Sequence, residues 1–268
     1  KGKALKHFED VLKLNKNNTE AKKYAAEIKS RRGIVELSSL GGLSSSGNQS
    51  KFGLRQLQAG YHINSENFIY ARYDNALSLD NYFLQKNNFS SNALIGGVYT
   101  RWHPRIGSKL EYGYRKLPGN IQQNLYQTEQ LIFLPKNYIL KLGGSILTSN
   151  QPQSEWMLMT GASVPLTHKL KLEPHYYLIH RVANEHRLML NTSYHFTAET
   201  ALAIGVFAGK EKDAKLNIDN SVSGAFAYTN FYIKGPLSGT ALTRYEKDAN
   251  GRKSFIAAAG FKLSIHTK

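Results

Sequence analysis

Ser193 and His195 stand two residues apart, a spacing that puts both on one face of a β-strand. Such a pair can activate a hydroxyl nucleophile for hydrolysis. No acidic residue nearby would orient the imidazole, and the shared face is the polar one, so no catalytic residue is expected and the chain is read as non-enzymatic. The nine histidines offer metal ligands. No His-Glu-x-x-His occurs, however, and His175 and His180 are an odd number of residues apart, hence on opposite faces of a strand. Neither a metal nor a cofactor is expected. The run from Gly42 to Gly47 begins like a phosphate-binding loop, but Asn48 stands where Lys is required and no helix follows, so it reads as a hairpin loop.

Charge is the stronger signal. The 268 residues carry 35 Lys+Arg against 19 Asp+Glu, a formal net charge of +16. That excess invites nucleic acid, an anionic membrane surface or an acidic polymer. The basic residues form no single stripe, which speaks against nucleic acid. A subset recurs on alternate positions of β-type segments: Arg72, Asp74, Lys109, Glu111, Arg115, Lys141, Lys169, Lys171, Glu173, His175, Arg187 and Lys262. Cations outnumber anions in this set. A water-filled bore lined by it would attract anionic sugar polymers or lipid headgroups. Alternatively the charges pair across strands, as Lys109 with Glu111 or Lys171 with Glu173, and plug a narrow bore. A specific ligand site is a third possibility.

The elements that position these residues change period near residue 33. Residues 1–32 read as helical, with Leu5, Phe8, Val11 and Leu12, then Ala21, Tyr24, Ala25 and Ile28, at helical spacing. The stretch from Asn15 to Glu20 would stop one helix and cap the next, with Asn or Thr as N-cap. From Ile34 the period is two. Segments near 34–43, 52–63, 66–76, 91–102, 107–116, 123–134, 138–147, 155–164, 169–180, 186–196, 200–208, 220–232, 238–246 and 252–266 read as strands. Roomy connections such as 44–51, 77–90, 148–154 and 209–219 alternate with tight ones such as Asn64-Ser65 and His103-Pro104-Arg105. Cys is absent and hydrophobic residues make up 41%. No run approaches the ~18–20 apolar residues of a membrane helix.

Long–short sorting of hairpins is what an all-β, antiparallel, up-and-down transmembrane barrel shows. About 14 strands are expected, or 12 if the Gly/Ser-rich first segment is a linker. Faces are clear in several segments. Leu170, Leu172, Pro174, Tyr176 and Leu178 oppose Lys169, Lys171, Glu173, His175 and Tyr177; the segments beginning at 107, 186 and 252 behave alike. A charge facing lipid at mid-bilayer costs roughly 2–4 kcal/mol, so the polar face is assigned to the lumen. Tyr61, Tyr73, Tyr112, Tyr114, Tyr176 and Tyr194 are candidates for the interfacial girdles. The faces of the segments beginning at 91, 123, 200 and 238 stay unassigned. A soluble β-sandwich predicts the same alternation but has no reason to sort its loops.

Two resemblances follow. The string Ala4-x3-Phe8-x2-Val11-Leu12-x2-Asn15-x5-Ala21 resembles a tetratricopeptide repeat, with Asn17 where Pro is usual, so that residues 1–32 look like the end of a repeat domain with more repeats before residue 1. Residues 34–266 resemble the YaiO-type outer-membrane barrels. The carrying residues are Tyr70-Ala71-Arg72-Tyr73, Leu134-Pro135-Lys136-Asn137 with Leu140-x-Leu142-Gly143, and the closing hairpin from Ser221 through Arg244-Tyr245-Glu246 to Ala258-Ala259-Gly260-Phe261-Lys262. Unlike many such barrels, the chain ends Ser264-Ile265-His266-Thr267-Lys268 rather than on an aromatic residue. The resemblance implies a bacterial outer-membrane barrel (residues 33–268) with periplasmic repeats, associated with exopolysaccharide export. Expected partners are outer-membrane lipids and lipopolysaccharide, periplasmic or outer-membrane proteins through the repeats, and a polysaccharide. A plugged barrel that anchors partner proteins is the alternative.

Overall fold

The computed structural model describes residues 2–30, 33–46, 49–64, 66–74, 92–117, 120–150, 155–180, 184–197, 199–212, 219–248, 251 and 253–267. It opens with two helices, α1 (Gly2–Leu14) and α2 (Thr19–Ser30). Asn18 caps α2, its Oδ1 accepting the Ala21 N–H at 2.9 Å. Ala21 and Ala25, one turn apart, are buried and leave room for Leu5, while Phe8 stacks on Tyr24 at 5.4 Å. On the solvent side Lys13 donates to Asp10 at 2.8 Å and holds that carboxyl below the usual range. One helical pair is described.

Fourteen strands follow, one for each segment with the period of two: β1 (Ile34–Ser46), β2 (Gln49–His62), β3 (Asn67–Asp74), β4 (Asn92–His103), β5 (Ile106–Leu117), β6 (Ile121–Phe133), β7 (Ile139–Ser149), β8 (Glu155–Pro165), β9 (Leu170–His180), β10 (Asn184–His195), β11 (Ala201–Lys212), β12 (Asp219–Lys234), β13 (Leu237–Lys247) and β14 (Lys253–His266). Each pairs antiparallel with its chain neighbours, and β1 pairs with β14 from Ile34↔His266 to Ser46↔Ser254. The sheet is thus a closed up-and-down barrel in which every strand is hydrogen-bonded to a neighbour on each side.

The Gly/Ser-rich first segment is therefore a full strand at the seam, and the 12-strand alternative falls. Its small residues are what lets the seam close. A Cβ on Gly42 would lie 2.1 Å from the Ala257 carbonyl oxygen, and one on Gly260 would lie 1.8 Å from that of Ser39. In β2 the register slips: Leu40 faces Gln56 and Gly41 faces Leu54, leaving Arg55 as a bulge. The extra residue turns two neighbouring polar side chains, Arg55 and Gln56, to the inside.

One expectation about connections is corrected. Pairs Ser44↔Lys51, Ser45↔Ser50 and Ser46↔Gln49 continue the first hairpin through the segment read as a 44–51 loop, so only residues 47–48 separate β1 from β2. Paired strands likewise absorb the ends of the 148–154 and 209–219 connections, and the turns 134–138 and 196–200 are as long as 150–154. The long–short sorting is not strict. The connection 77–90 lies outside the described residues, as does Gly47 of the loop-like motif. We call the end holding the turns 63–66, 104–105 and 235–236, together with Ile34 and His266, the turn end, and the opposite one the loop end.

Candidate functional site

Strand alternation gives the barrel two chemically distinct faces. Among the described residues, outward positions carry no charge through the middle of the strands; lysines Lys116, Lys210, Lys247 and Lys253 stand at their loop ends. Outward polar groups on β4–β6 satisfy one another: Trp102 Nε1 donates to Ser108 Oγ at 2.9 Å, and Ser108 Oγ donates to Gln130 Oε1 at 2.6 Å. All six expected girdle tyrosines point outward. Toward the loop end Tyr73 donates to Asn92 at 2.8 Å, Tyr112 donates to Asn124 at 2.8 Å, and Tyr176 meets His186 Nδ1 at 2.6 Å; Tyr114 lies on the same face. Tyr61 and Tyr194 lie toward the turn end, where Tyr194 packs edge-on against Phe196 at 5.0 Å.

Eleven of the twelve charged or His candidates face inward. Lys169 does not. It sits exposed in the 166–169 turn, because β9 begins one residue later than the alternation suggested, and its carbonyl accepts the His195 N–H at 2.8 Å. The inward charges gather into four groups. On β3–β5, Arg72 donates to Glu111 at 3.2 Å and stands 3.5 Å from Asp74; Lys109 stands 3.3 Å from Glu111, and the Tyr70 hydroxyl also donates to it. Beside them Arg115 donates to Gln123 at 2.9 Å. On β7–β10, Lys141 donates to Glu173 at 3.0 Å, as does Asn191 at 3.0 Å, and His175 Nδ1 lies 3.1 Å from the Glu173 carbonyl. Glu173 pairs with Lys141, two strands away on β7, in place of the expected Lys171 of its own strand. On β10–β13, Arg187 donates to Glu185 at 2.8 Å and stands 3.5 Å from Glu246, to which Arg244 also donates; both guanidiniums lie over Phe207, at 4.6 and 5.4 Å from its centroid. At the seam, Lys262 stands 2.8 Å from Glu36 and His62 stands 3.4 Å from it.

Arg55, Glu36, Glu129, Glu185, Arg244 and Glu246 were missed by the sequence reading. Glu185-x-Arg187 and Arg244-x-Glu246 are opposite charges two apart, hence on one face, and that spacing was the available signal. The acids among them bring anions close to cations in number. Many of the inward charges are paired in place.

Along its axis the lumen has two halves. Toward the loop end Ala93, Ile95, Leu125, Leu147, Met157 and Ile179 form a buried apolar cluster against Tyr177, and Phe207, Val222 and Phe226 form a second. Toward the turn end lies a cavity of about 1140 Å³. It runs from Glu199, Gly235, Pro236 and His266 at the turns up to Arg72, Arg187 and Arg244, and it reaches Met157 of the first apolar cluster. Ser193 and His195 face inward on β10. No group of three or more His, Cys, Asp or Glu suited to a metal occurs among the described residues.

No protein-family model matches the chain, and no curated protein does. Likeness is found in shape. The CymD monoaromatic hydrocarbon channel superposes with a TM-score of 0.61 at 7% identity, over 88% of this chain and 90% of that one. A bacterial polysaccharide outer membrane secretin gives 0.55 at 10% identity, over 89% and 99%. The COG4313 outer membrane channel from Pseudomonas putida F1 gives 0.54 at 10% identity, over 87% and 95%. The fold is that of outer-membrane β-barrel channels.

Proposed function

We propose that the chain is a bacterial outer-membrane barrel whose lumen forms the path, or the periplasmic part of it, for export of a polymer, with a polysaccharide as the cargo. The uncharged outer face is dissolved in hydrocarbon and the tyrosines sit at its two interfaces. In this reading the turn end and the helical pair lie in the periplasm, where the helices, as the last part of a tetratricopeptide-like scaffold, hold partner proteins or guide the chain. Lys116, Lys210, Lys247 and Lys253 at the loop end meet the anionic headgroups of lipopolysaccharide. The YaiO-type resemblance points the same way, and a polysaccharide secretin among the similar folds is consistent with it. The observation that carries the reading is the cavity of about 1140 Å³ reaching the turn end.

The filled loop half favours a second reading, a plugged barrel that anchors partners in the membrane. Planar-bilayer recordings of the full chain separate the two. We expect low, intermittent conductance from the parent protein and a several-fold larger unitary current from Leu125→Ala combined with Ile179→Ala, which thins the apolar plug without touching the ion pairs. Equal silence from both would favour the anchor.

A further inference from the structure

The inward face of β12 carries Phe226, Tyr228, Asn230 and Tyr232 in succession, and all four line the cavity. At ~3.4 Å per residue they follow one another roughly 7 Å apart, from mid-barrel to the mouth at the turn end. We infer that this strand face is a stacking track for the pyranose rings of a neutral carbohydrate chain, an inference that rests on the export reading and names the class of its cargo.

Stacking and hydrogen bonding are both prepared. Tyr232 is 48% exposed at the mouth, and its hydroxyl accepts the Gly235 N–H at 2.7 Å, which fixes the ring there. Tyr228 donates to Asn230 Oδ1 at 2.7 Å, and Thr240 donates to the same oxygen at 2.6 Å. With both lone pairs of that carbonyl occupied, the side chain has its amide NH₂ to offer the cavity. Two strands away on β10, the Asn191 amide donates to Glu173 at 3.0 Å, while its Oδ1 is buried without a hydrogen-bond partner among the described residues. A sugar ring needs this combination. Its C–H faces lie flat on the electron-rich faces of aromatic rings, and its hydroxyls need donors and acceptors at the edge. An anionic chain is disfavoured because the lysines and arginines on the wall, Arg72, Lys141, Arg187, Arg244 and Lys262, each stand within 3.2 Å of a carboxylate.

Isothermal titration of the full chain in detergent tests this, with cellohexaose as the neutral probe and hexameric oligogalacturonate as the anionic one. We expect saturable cellohexaose binding, weakened roughly fivefold to tenfold by Tyr228→Ala or Tyr232→Ala and retained in Tyr228→Phe and Tyr232→Phe. Heat-modifiable migration on gels verifies folding, and Tyr232→Ala, at a half-exposed ring, leaves the barrel intact. Binding equal to the parent in both alanine variants, tighter binding of the oligogalacturonate, or no saturable binding of either probe would overturn the track. The outcomes separate from the export reading. A conducting barrel with tyrosine-independent binding keeps the channel and loses the track. A closed barrel with tyrosine-dependent binding keeps the track and loses the channel.

Discussion

Leu190→Arg lowers the stability of the barrel in lipid vesicles by about 2–4 kcal/mol, measured by urea unfolding followed through tryptophan fluorescence. Leu190 is outward at the middle of β10, between Pro174 on β9 and Val206 on β11. All three side chains are apolar, so an arginine there has only hydrocarbon to meet and no anion to pair with. Depth decides the size of the effect. Tyr194→Arg, near the turn end of the same strand, costs only about 0–1 kcal/mol, because the guanidinium reaches the headgroups. A soluble sandwich would show no such gradient, since both positions would then differ only in how well they pack.

Glu111→Ala costs about 3–5 kcal/mol in the same assay. The side chains of Glu111 and Asp74 are fully buried and that of Arg72 nearly so. Glu111 accepts from Arg72 and from Tyr70 and stands beside Lys109, so its loss strips a buried cationic cluster of its main counter-charge. Lys141→Ala is the informative contrast. Lys141 and Glu173 form a pair of similar length, but each side chain keeps about a fifth of its surface open to the cavity. Water there solvates the remaining carboxylate, and the loss stays near 1 kcal/mol or below. If the two substitutions cost the same, the contrast between a fully buried carboxylate and one open to the cavity would be wrong.

Strand number, order and closure were legible because a period of two is hard to mistake over segments this long. Where the bore holds water or charge, the faces were legible too. Leu170 to Leu178 on β9 and Phe255 to Ile265 on β14 lie outward as their alternation indicated. The strands left unassigned are those whose inner residues help fill the lumen. On β4, Ala93 and Ile95 point inward while Leu94 and Val98 point outward, so both faces are apolar and no contrast survives. On β6 the contrast is inverted locally. Leu125 packs inside, and Gln130 outside is tolerated because Ser108 donates to it. Inward Phe207 hides β11 in the same way, and Leu242 with Arg244 gives β13 a mixed inner face. Arg55 was hidden for a different reason: a bulge shifts the phase in mid-strand, and no residue type announces it. The apparent cation excess of the bore came from these same strands, which supply Glu129 and Glu246, and from the first and tenth, which supply Glu36 and Glu185.

Single-cysteine scanning along β9 tests the two-faced barrel most directly, and the chain's lack of native cysteine makes each label unique. Positions 171–178 are substituted one at a time, labelled with a small fluorophore, and reconstituted in vesicles containing brominated lipid. Quenching is expected to alternate, strong at 172, 174, 176 and 178 and weak at 171, 173, 175 and 177. Uniform quenching along the strand, or none at any position, would contradict a wall with hydrocarbon on one side and a polar lumen on the other.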